Sequence, residues 1–281
     1  MPEQKTASGY LHQDFRLFHL KDKKNITFPF HYHDFNKIIV FLSGNVTYLV
    51  EGKAYFLKPL DILLIGRHDI HKPIIDSQSA YERIVIWINN DFLKSDLSRQ
   101  TDISKCFDTA SSRSLNLIRL DAALQNKIRE LLHTLEHSLQ SEEYGSDILS
   151  HTYFLQLMVY LNRIFADPEY RLDTAASESN QQMDHILSYL NTHYTQELQV
   201  ASLAEHFYLS PSYLMHKFKA VTGYTLHQYI IRKRLLSASK LIQSGTPVMK
   251  ASAQCGFSDY SSFSRAFKKM FGCPPRDYFR A

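Results

Sequence analysis

The 281 residues are 44% hydrophobic with a net charge of +4, enough apolar content to bury two ordinary cores, so two domains are expected. No run approaches the ~20 apolar residues of a membrane span, and Met1-Pro-Glu-Gln-Lys5 lacks the apolar stretch of a signal peptide. Cys106, Cys255 and Cys273 are odd in number and have no metal-ligand spacing, which fits reduced thiols in a cytoplasmic protein and excludes a disulfide framework.

The first hundred residues read as an antiparallel sheet. Lys37–Leu42, Val46–Val50, Ala54–Leu57, Asp61–Ile65 and Glu82–Ile88 are short, rich in β-branched and aromatic side chains, and punctuated by Ser43-Gly44, Glu51-Gly52 and Pro59. Such regular short strands predict a barrel or jelly roll. Ahead of them stands Pro29-Phe-His-Tyr-His33. Two histidines two apart on one strand face can grip a metal when a carboxylate follows to supply anionic help. Here Asp34, Phe35, Asn36, Lys37 and Ile38 follow. Asp34 points to the wrong face, and Lys37 brings positive charge where negative is needed, so no metal or other cofactor is expected. His31 and His33 then either hydrogen-bond a ligand at the barrel mouth or serve the structure.

Alternation in the last strand puts Tyr81, Arg83, Val85 and Trp87 on one face and Glu82, Ile84, Ile86 and Ile88 on the other. If the first set lines the barrel, Arg83 offers a planar fork to hydroxyls or a carboxylate, and Trp87 a flat apolar wall. If the isoleucines are the buried set, Arg83 lies in water. Both readings stand on sequence alone.

From Asp121 to Ala166 the period becomes helical. Leu124, Ile128, Leu131, Leu132, Leu135 and Leu139 form one stripe, and a second helix ending near Phe165 is apolar around much of its circumference. Asp167-Pro168 ends it, and small polar residues from Thr174 to Gln182 suit a linker, giving domains of 1–166 and 183–281 joined by 167–182.

The last hundred residues write one pattern twice. In the first copy Leu203, Ala204 and Phe207 recur at helical spacing, Ser210 can cap the next helix, Pro211 suits its first position, and Leu214 and Phe218 give that helix one buried stripe. In the second, Gly256 can take the positive φ of a sharp helix end, Ser258 or Asp259 caps, and Phe263 and Phe267 repeat the four-residue spacing. Between them, residues 225–243 contain no Gly or Pro and read as one helix of roughly 28 Å, close to the ~34 Å repeat of B-DNA. Residues 182–281 hold 12 Lys and Arg against 5 Asp and Glu, a net of +7, whereas the first 181 hold 20 against 23. Only the C-terminal third carries the excess that salt-sensitive DNA affinity needs.

These residues carry a resemblance. Leu203, Ala204, Ser210, Leu214, Phe218-Lys219, Gly223, Tyr229, Arg234-Leu235, Gly256-Phe257, Phe263-Ser264-Arg265, Phe271-Gly272 and Pro274-Pro275-Arg276-Asp277-Tyr278 are similar to the DNA-binding domain of AraC/XylS family bacterial transcription regulators. The likeness departs at Ala251-Ser252, where the family usually has a larger aliphatic residue and Ala; Ser252 can hydrogen-bond back to its own helix. The strand order with His31, His33 and His71 resembles the cupin-type sensor domain that many such regulators carry.

The resemblance implies an α+β protein of two domains: a cupin-like β-barrel with a helical pair, then an all-α domain of two helix-turn-helix motifs joined by a long helix. By position, Ser212, Met215 and His216 in the first head and Ser261, Ser262 and Arg265 in the second would meet base edges, with Lys219 and Lys268 on phosphates. It further implies a small-molecule effector, with carbohydrate the leading class, met by His31, His33, Arg83 and Trp87. The helical pair would form a homodimer, and an activator would also touch RNA polymerase. No enzymatic role is expected. The competing expectations are a metal-dependent cupin enzyme with a DNA-binding tail and a ligand-free dimeric regulator.

Overall fold

The structure, a computed structural model, describes residues 11, 13–22, 28–76, 79–94, 101–113, 115–167, 177–178 and 181–278. The chain divides into two compact units, Met1–Glu178 and Ser179–Ala281, and the division falls inside the stretch expected as a linker.

The first unit is built on β1 (Phe15–Asp22), β2 (Asn36–Ser43), β3 (Val46–Val50), β4 (Lys53–Phe56), β5 (Ile62–Ile65), β6 (His71–Ile75), β7 (Tyr81–Ile88), β8 (Leu117–Ile118) and β9 (Ser177–Glu178). They make a five-stranded sheet, ordered β1-β7-β2-β5-β8, and a four-stranded sheet, ordered β6-β3-β4-β9. The helices are α1 (Asn90–Lys94), α2 (Lys105–Arg113), α3 (Ala122–Gln140) and α4 (Ser146–Ala166).

Alternation assigns the two faces of the larger sheet. Ile39, Phe41, Leu63, Ile65, Tyr81 and Val85 point between the sheets, where Val46, Tyr48, Val50 and Tyr55 meet them. Ile38, Val40, Ile62, Leu64, Ile84, Ile86 and Ile88 point the other way and pack beneath Leu132, Leu135, Phe154, Leu157 and Leu161 of α3 and α4. The two alternatives for the β7 strand therefore do not compete. Its isoleucines are buried under helices, and Arg83 and Trp87 share the inner face with Tyr81 and Val85.

Three differences from expectation have physical causes. Strand β1 is not among the expected strands because it is an edge strand whose polar residues, such as Arg16, His19 and Lys21, tolerate solvent. Strand β6 contains Pro73, which argues against a central strand but is admissible at the edge where β6 lies. Within the expected linker, Ser177 and Glu178 pair with Tyr55 and Ala54 of β4 and extend the smaller sheet.

The second unit runs α5 (Gln181–His193), α6 (Val200–His206), α7 (Pro211–Thr222), α8 (Leu226–Gln243), α9 (Val248–Gln254) and α10 (Tyr260–Phe271). Ser210 Oγ accepts from Tyr213 N at 3.2 Å, and Asp259 accepts from Ser261 N and Ser262 N at 3.0 and 2.7 Å, so a side chain caps each second helix. Thr225 and Gln228 form a reciprocal capping box at the start of α8. Its 18 residues span about 27 Å. Leu235, Ala238 and Ile242 of α8 pack with Ala251, Cys255, Phe263 and Phe267 into one core. Ser252 donates to Met249 O at 2.8 Å, which satisfies the hydroxyl inside its own helix.

Candidate functional site

The duplication is geometrical as well as textual. Leu203 and Ala204 of α6 correspond to Ala251 and Ser252 of α9, 48 residues on. Leu214 and Phe218 of α7 correspond to Phe263 and Phe267 of α10, 49 residues on, because the second turn holds one more residue. All of these are buried. With the inward positions fixed, the outward ones follow: Ser212 with Ser261, Tyr213 with Ser262, His216 with Arg265, and Lys219 with Lys268.

All eight residues expected to contact DNA lie on the exposed face, namely Ser212, Met215, His216 and Lys219 on α7 and Ser261, Ser262, Arg265 and Lys268 on α10. Tyr213, also exposed, was not among them, although its equivalence to Ser262 follows once the two turns are aligned. The heads differ in chemistry. The first presents Tyr213, Met215 and His216, while the second presents two serines and Arg265, whose Nη2 donates to Ser262 Oγ at 3.4 Å. The Ser262 side chain first, and then the N–H groups of Ser262 and Ser261, hold the Asp259 carboxyl below its ordinary range through hydrogen bonds, so the α10 cap stays ionised near neutral pH.

In the first unit, polar groups gather at one end of the space between the sheets. His31, His33 and His71 are not on one strand face: His31 and His33 lie in the segment before β2, and His31 bridges to His71 of the smaller sheet. Nδ1 of each ring meets a backbone carbonyl two residues away, at Pro29 O (2.9 Å), Phe35 O (2.7 Å) and Asp69 O (2.9 Å). A carbonyl only accepts, so Nδ1 carries the proton in all three, and a neutral ring keeps a lone pair on Nε2. Burial first, then the Lys37 charge, pushes His33 and His71 well below the usual histidine range. Both are neutral near pH 7. Lys37, itself buried, approaches His71 Nε2 to 3.5 Å. The ammonium occupies the lone pair that a metal would need.

Trp87 lies 4.7 Å from Phe18 and 4.9 Å from Phe35 between ring centroids, and Phe35 stacks on His33 at 4.2 Å. Arg83 faces the same interior, but its Nη1 donates to Asp22 Oδ2 at 2.6 Å and its guanidinium lies 4.1 Å from the Tyr81 ring centroid. Of the four expected effector residues, the structure groups His31, His33 and Trp87 and sets Arg83 in a separate ion pair. Lys37, His71, Phe18 and Phe35 belong to the group and were not assigned to it; Phe18 could not be placed without β1.

Two helix-turn-helix units with equivalent outward positions, following a two-sheet domain in the chain, define a DNA-binding transcription regulator with its own ligand-binding domain. Residues 203–281 match the family described as a helix-turn-helix domain, and residues 17–158 match the AraC-like ligand binding domain. The chain belongs to the AraC/XylS family. Among its relatives is the HTH-type transcriptional activator RhaS of Salmonella paratyphi A, 25% identical over 258 residues, covering 89% of this chain and 87% of the relative. RhaS of Escherichia coli O1:K1 / APEC is 26% identical over 259 residues with the same shares. Among solved structures, ToxT from Vibrio cholerae is similar over 95% of this chain and 98% of that one, at 16% identity and a TM-score of 0.36. No described helix is long and apolar enough to cross a membrane.

Proposed function

We propose that this regulator reads two adjacent major-groove segments with unlike chemistry. Ser212, Met215 and His216 would meet bases under α7, and Ser261, Ser262 and Arg265 would meet them under α10, with Lys219 and Lys268 on flanking phosphates. The observation that carries the reading is the matched exposure of Ser212, His216 and Lys219 with Ser261, Arg265 and Lys268 around the core pairs Leu214/Phe218 and Phe263/Phe267, which repeat 49 residues apart. Arg265 suits the O6 and N7 acceptors of guanine; Met215 offers only apolar contact, as to a thymine methyl. A regulator working this way acts in the cytoplasm, where its DNA is.

The effector would enter between the sheets and touch His31, His33 and Trp87, with Arg83 supporting the wall. It acts by its differential affinity for two arrangements of the protein. Self-association would use what the helical pair leaves uncovered. Most of that pair's apolar surface is buried against the chain's own sheet, but Tyr144, Ile148 (68% exposed) and Leu149 remain open near the α3–α4 turn. An activator would engage RNA polymerase as well.

Selection of bound duplexes from a random pool tests the whole reading. The recovered site should contain two conserved blocks about one helical turn apart, one of them with a guanine. Arg265→Ala should erase preference at that guanine while leaving the other block intact; a pool with a single block would defeat the two-head arrangement.

A further inference from the structure

The two recognition helices share a frame but fill its flanks differently. On α7 the buried residues Leu214, Phe218 and Thr222 mark the inward line. At about 3.6 residues per turn, Ser212 and His216 lie on the far side, Met215 and Lys219 fall to one flank, and Tyr213 and Lys217 fall to the other. Tyr213 and Lys217 are four apart, so they stand one above the other along that edge. Their equivalents 49 residues on are Ser262 and Ala266 of α10, both short and uncharged. On this flank α10 carries Lys269 instead, where α7 has Ala220.

The starts of the two helices differ in the same sense. Asp259 caps α10 with a carboxylate that its hydrogen bonds keep ionised, and an anion there repels a phosphate. Ser210 caps α7 with a neutral hydroxyl. A backbone phosphate can therefore approach the first turn of α7, whereas α10 has to meet its phosphates further along, where Lys268 and Lys269 stand.

The fold leaves the polar ends of the Tyr213/Lys217 edge unused. Tyr213 is 49% exposed, and among the described residues its hydroxyl has no hydrogen-bond partner and its ring no aromatic neighbour. Lys217 is half-buried and has no ion pair among them. In the second head, by contrast, the Ser262 hydroxyl is already engaged by Arg265 and Asp259.

A helix lying in the major groove faces base edges along its outward line and a sugar–phosphate strand on either side, and lysine and tyrosine both serve as phosphate donors. We infer that Tyr213 and Lys217 form a second phosphate-holding edge of the first head, on the strand opposite the one that Lys219 meets. The phenol donates to a phosphate beside the start of α7, and the ammonium meets the backbone one turn further along. Both contacts position the helix and carry no sequence information. The inference rests on the reading that α7 lies in the major groove.

The full chain is titrated by fluorescence anisotropy onto a selected duplex and a scrambled one at several salt concentrations. Tyr213→Phe removes only the hydroxyl. It should weaken both duplexes alike, by about three- to tenfold, and leave the slope of log K against log salt unchanged. Lys217→Met keeps the apolar stem, and should weaken both alike while reducing that slope by about 1. Neutral methylphosphonates placed beside the first block, one strand at a time, locate the contacts: Lys217→Met should be indifferent to them on one strand and Lys219→Met on the other. Wild-type affinity and slope in both the Tyr213 and Lys217 variants overturns the edge, as does a Tyr213→Phe loss confined to the selected duplex, or indifference of both lysine variants on the same strand. In each of these cases the groove reading stands if Arg265→Ala still loses its preference for guanine; if that preference survives Arg265→Ala as well, the failure lies with the reading itself.

Discussion

A β-carbon placed on Gly256 would lie 2.2 Å from the carbonyl oxygen of Thr195. The turn of the second helix-turn-helix unit thus touches the chain that joins α5 to α6 of the first. Arg234 of α8 grips the same strap, donating from Nε to Tyr194 O and from Nη2 to Gln196 O, each at 2.7 Å. Three consecutive residues, 194–196, therefore tie both units to the long helix through backbone groups. This strap makes the spacing of the two heads a property of the fold and not of α8 alone.

Gly256→Ala should accordingly be severe. The residue has φ +86°, where a β-carbon costs about 1–2 kcal/mol, and the clash with Thr195 adds to that. A loss of at least about 2 kcal/mol is expected, lowering the melting point of the DNA-binding unit by roughly 8 °C or more. Arg234→Ala should cost about 2 kcal/mol by removing two charge-assisted hydrogen bonds. Thermal unfolding of the two full-length variants checks both, and a melting point within about 2 °C of wild type for Gly256→Ala would contradict the contact.

The corresponding position in the first unit is Tyr208, with φ +56° and 97% exposure. It bears the left-handed backbone without the close approach that demands glycine at 256. Tyr208→Gly should stabilise the unit by about 0.5–1 kcal/mol, since relief of the β-carbon strain outweighs the added freedom of the unfolded chain. Chemical denaturation would show it as a higher midpoint with an unchanged slope.

How far the sequence could be read follows from these residues. Gly256, Ser210, Asp259 and the Phe263/Phe267 pair act locally, through caps, turns and four-residue spacing, so the helix-turn-helix units were legible without a structure. The polar end of the space between the sheets is not. Its row of Arg16, Trp87 and Lys37 depends on the pairing of three strands distant in the chain, and β1 at the sheet edge has no clean alternation. In the sequence Lys37 argues only against a metal, because its neighbour His71 sits in the other sheet. Alternation along β7 separates its two faces but cannot tell which one meets the smaller sheet, since helices bury the opposite one.

The two cations of the second head, Arg265 and Lys268, should respond differently to mutation. Arg265→Ala is expected to cost about 1–3 kcal/mol on a selected duplex and far less on a scrambled one, because bidentate readout is lost and phosphate contact is not. Lys268→Ala should weaken both duplexes alike and reduce the slope of log K against log salt by about 1. Fluorescence anisotropy at several salt concentrations separates the cases; equal losses on both duplexes for Arg265→Ala would make that residue a phosphate clamp.

The ligand-binding unit should lose stability in mild acid. Burial and Lys37 hold His33 and His71 well below the ordinary histidine value near 6.5. In the unfolded chain both take up protons as the pH falls through about 6.5, while in the folded protein they do not, so the unfolded state binds more protons and stability falls with pH. The stabilisation is complete above about pH 6.5 and is lost below it, at up to about 1.4 kcal/mol per pH unit for each ring. His151 has the opposite sign. Its backbone bond to Asp147 O and its contact with Asp14 raise its value, so its contribution is present in acid and lost as the pH rises through its folded-state value. That ring is largely open to solvent, and its share is correspondingly small. Thermal unfolding of the full chain from about pH 7.5 to 5.5 should show the first transition fall steadily. His33→Asn and His71→Asn, which cannot gain a proton, should each flatten that slope by about half, and a slope unaltered in both would place the titration elsewhere.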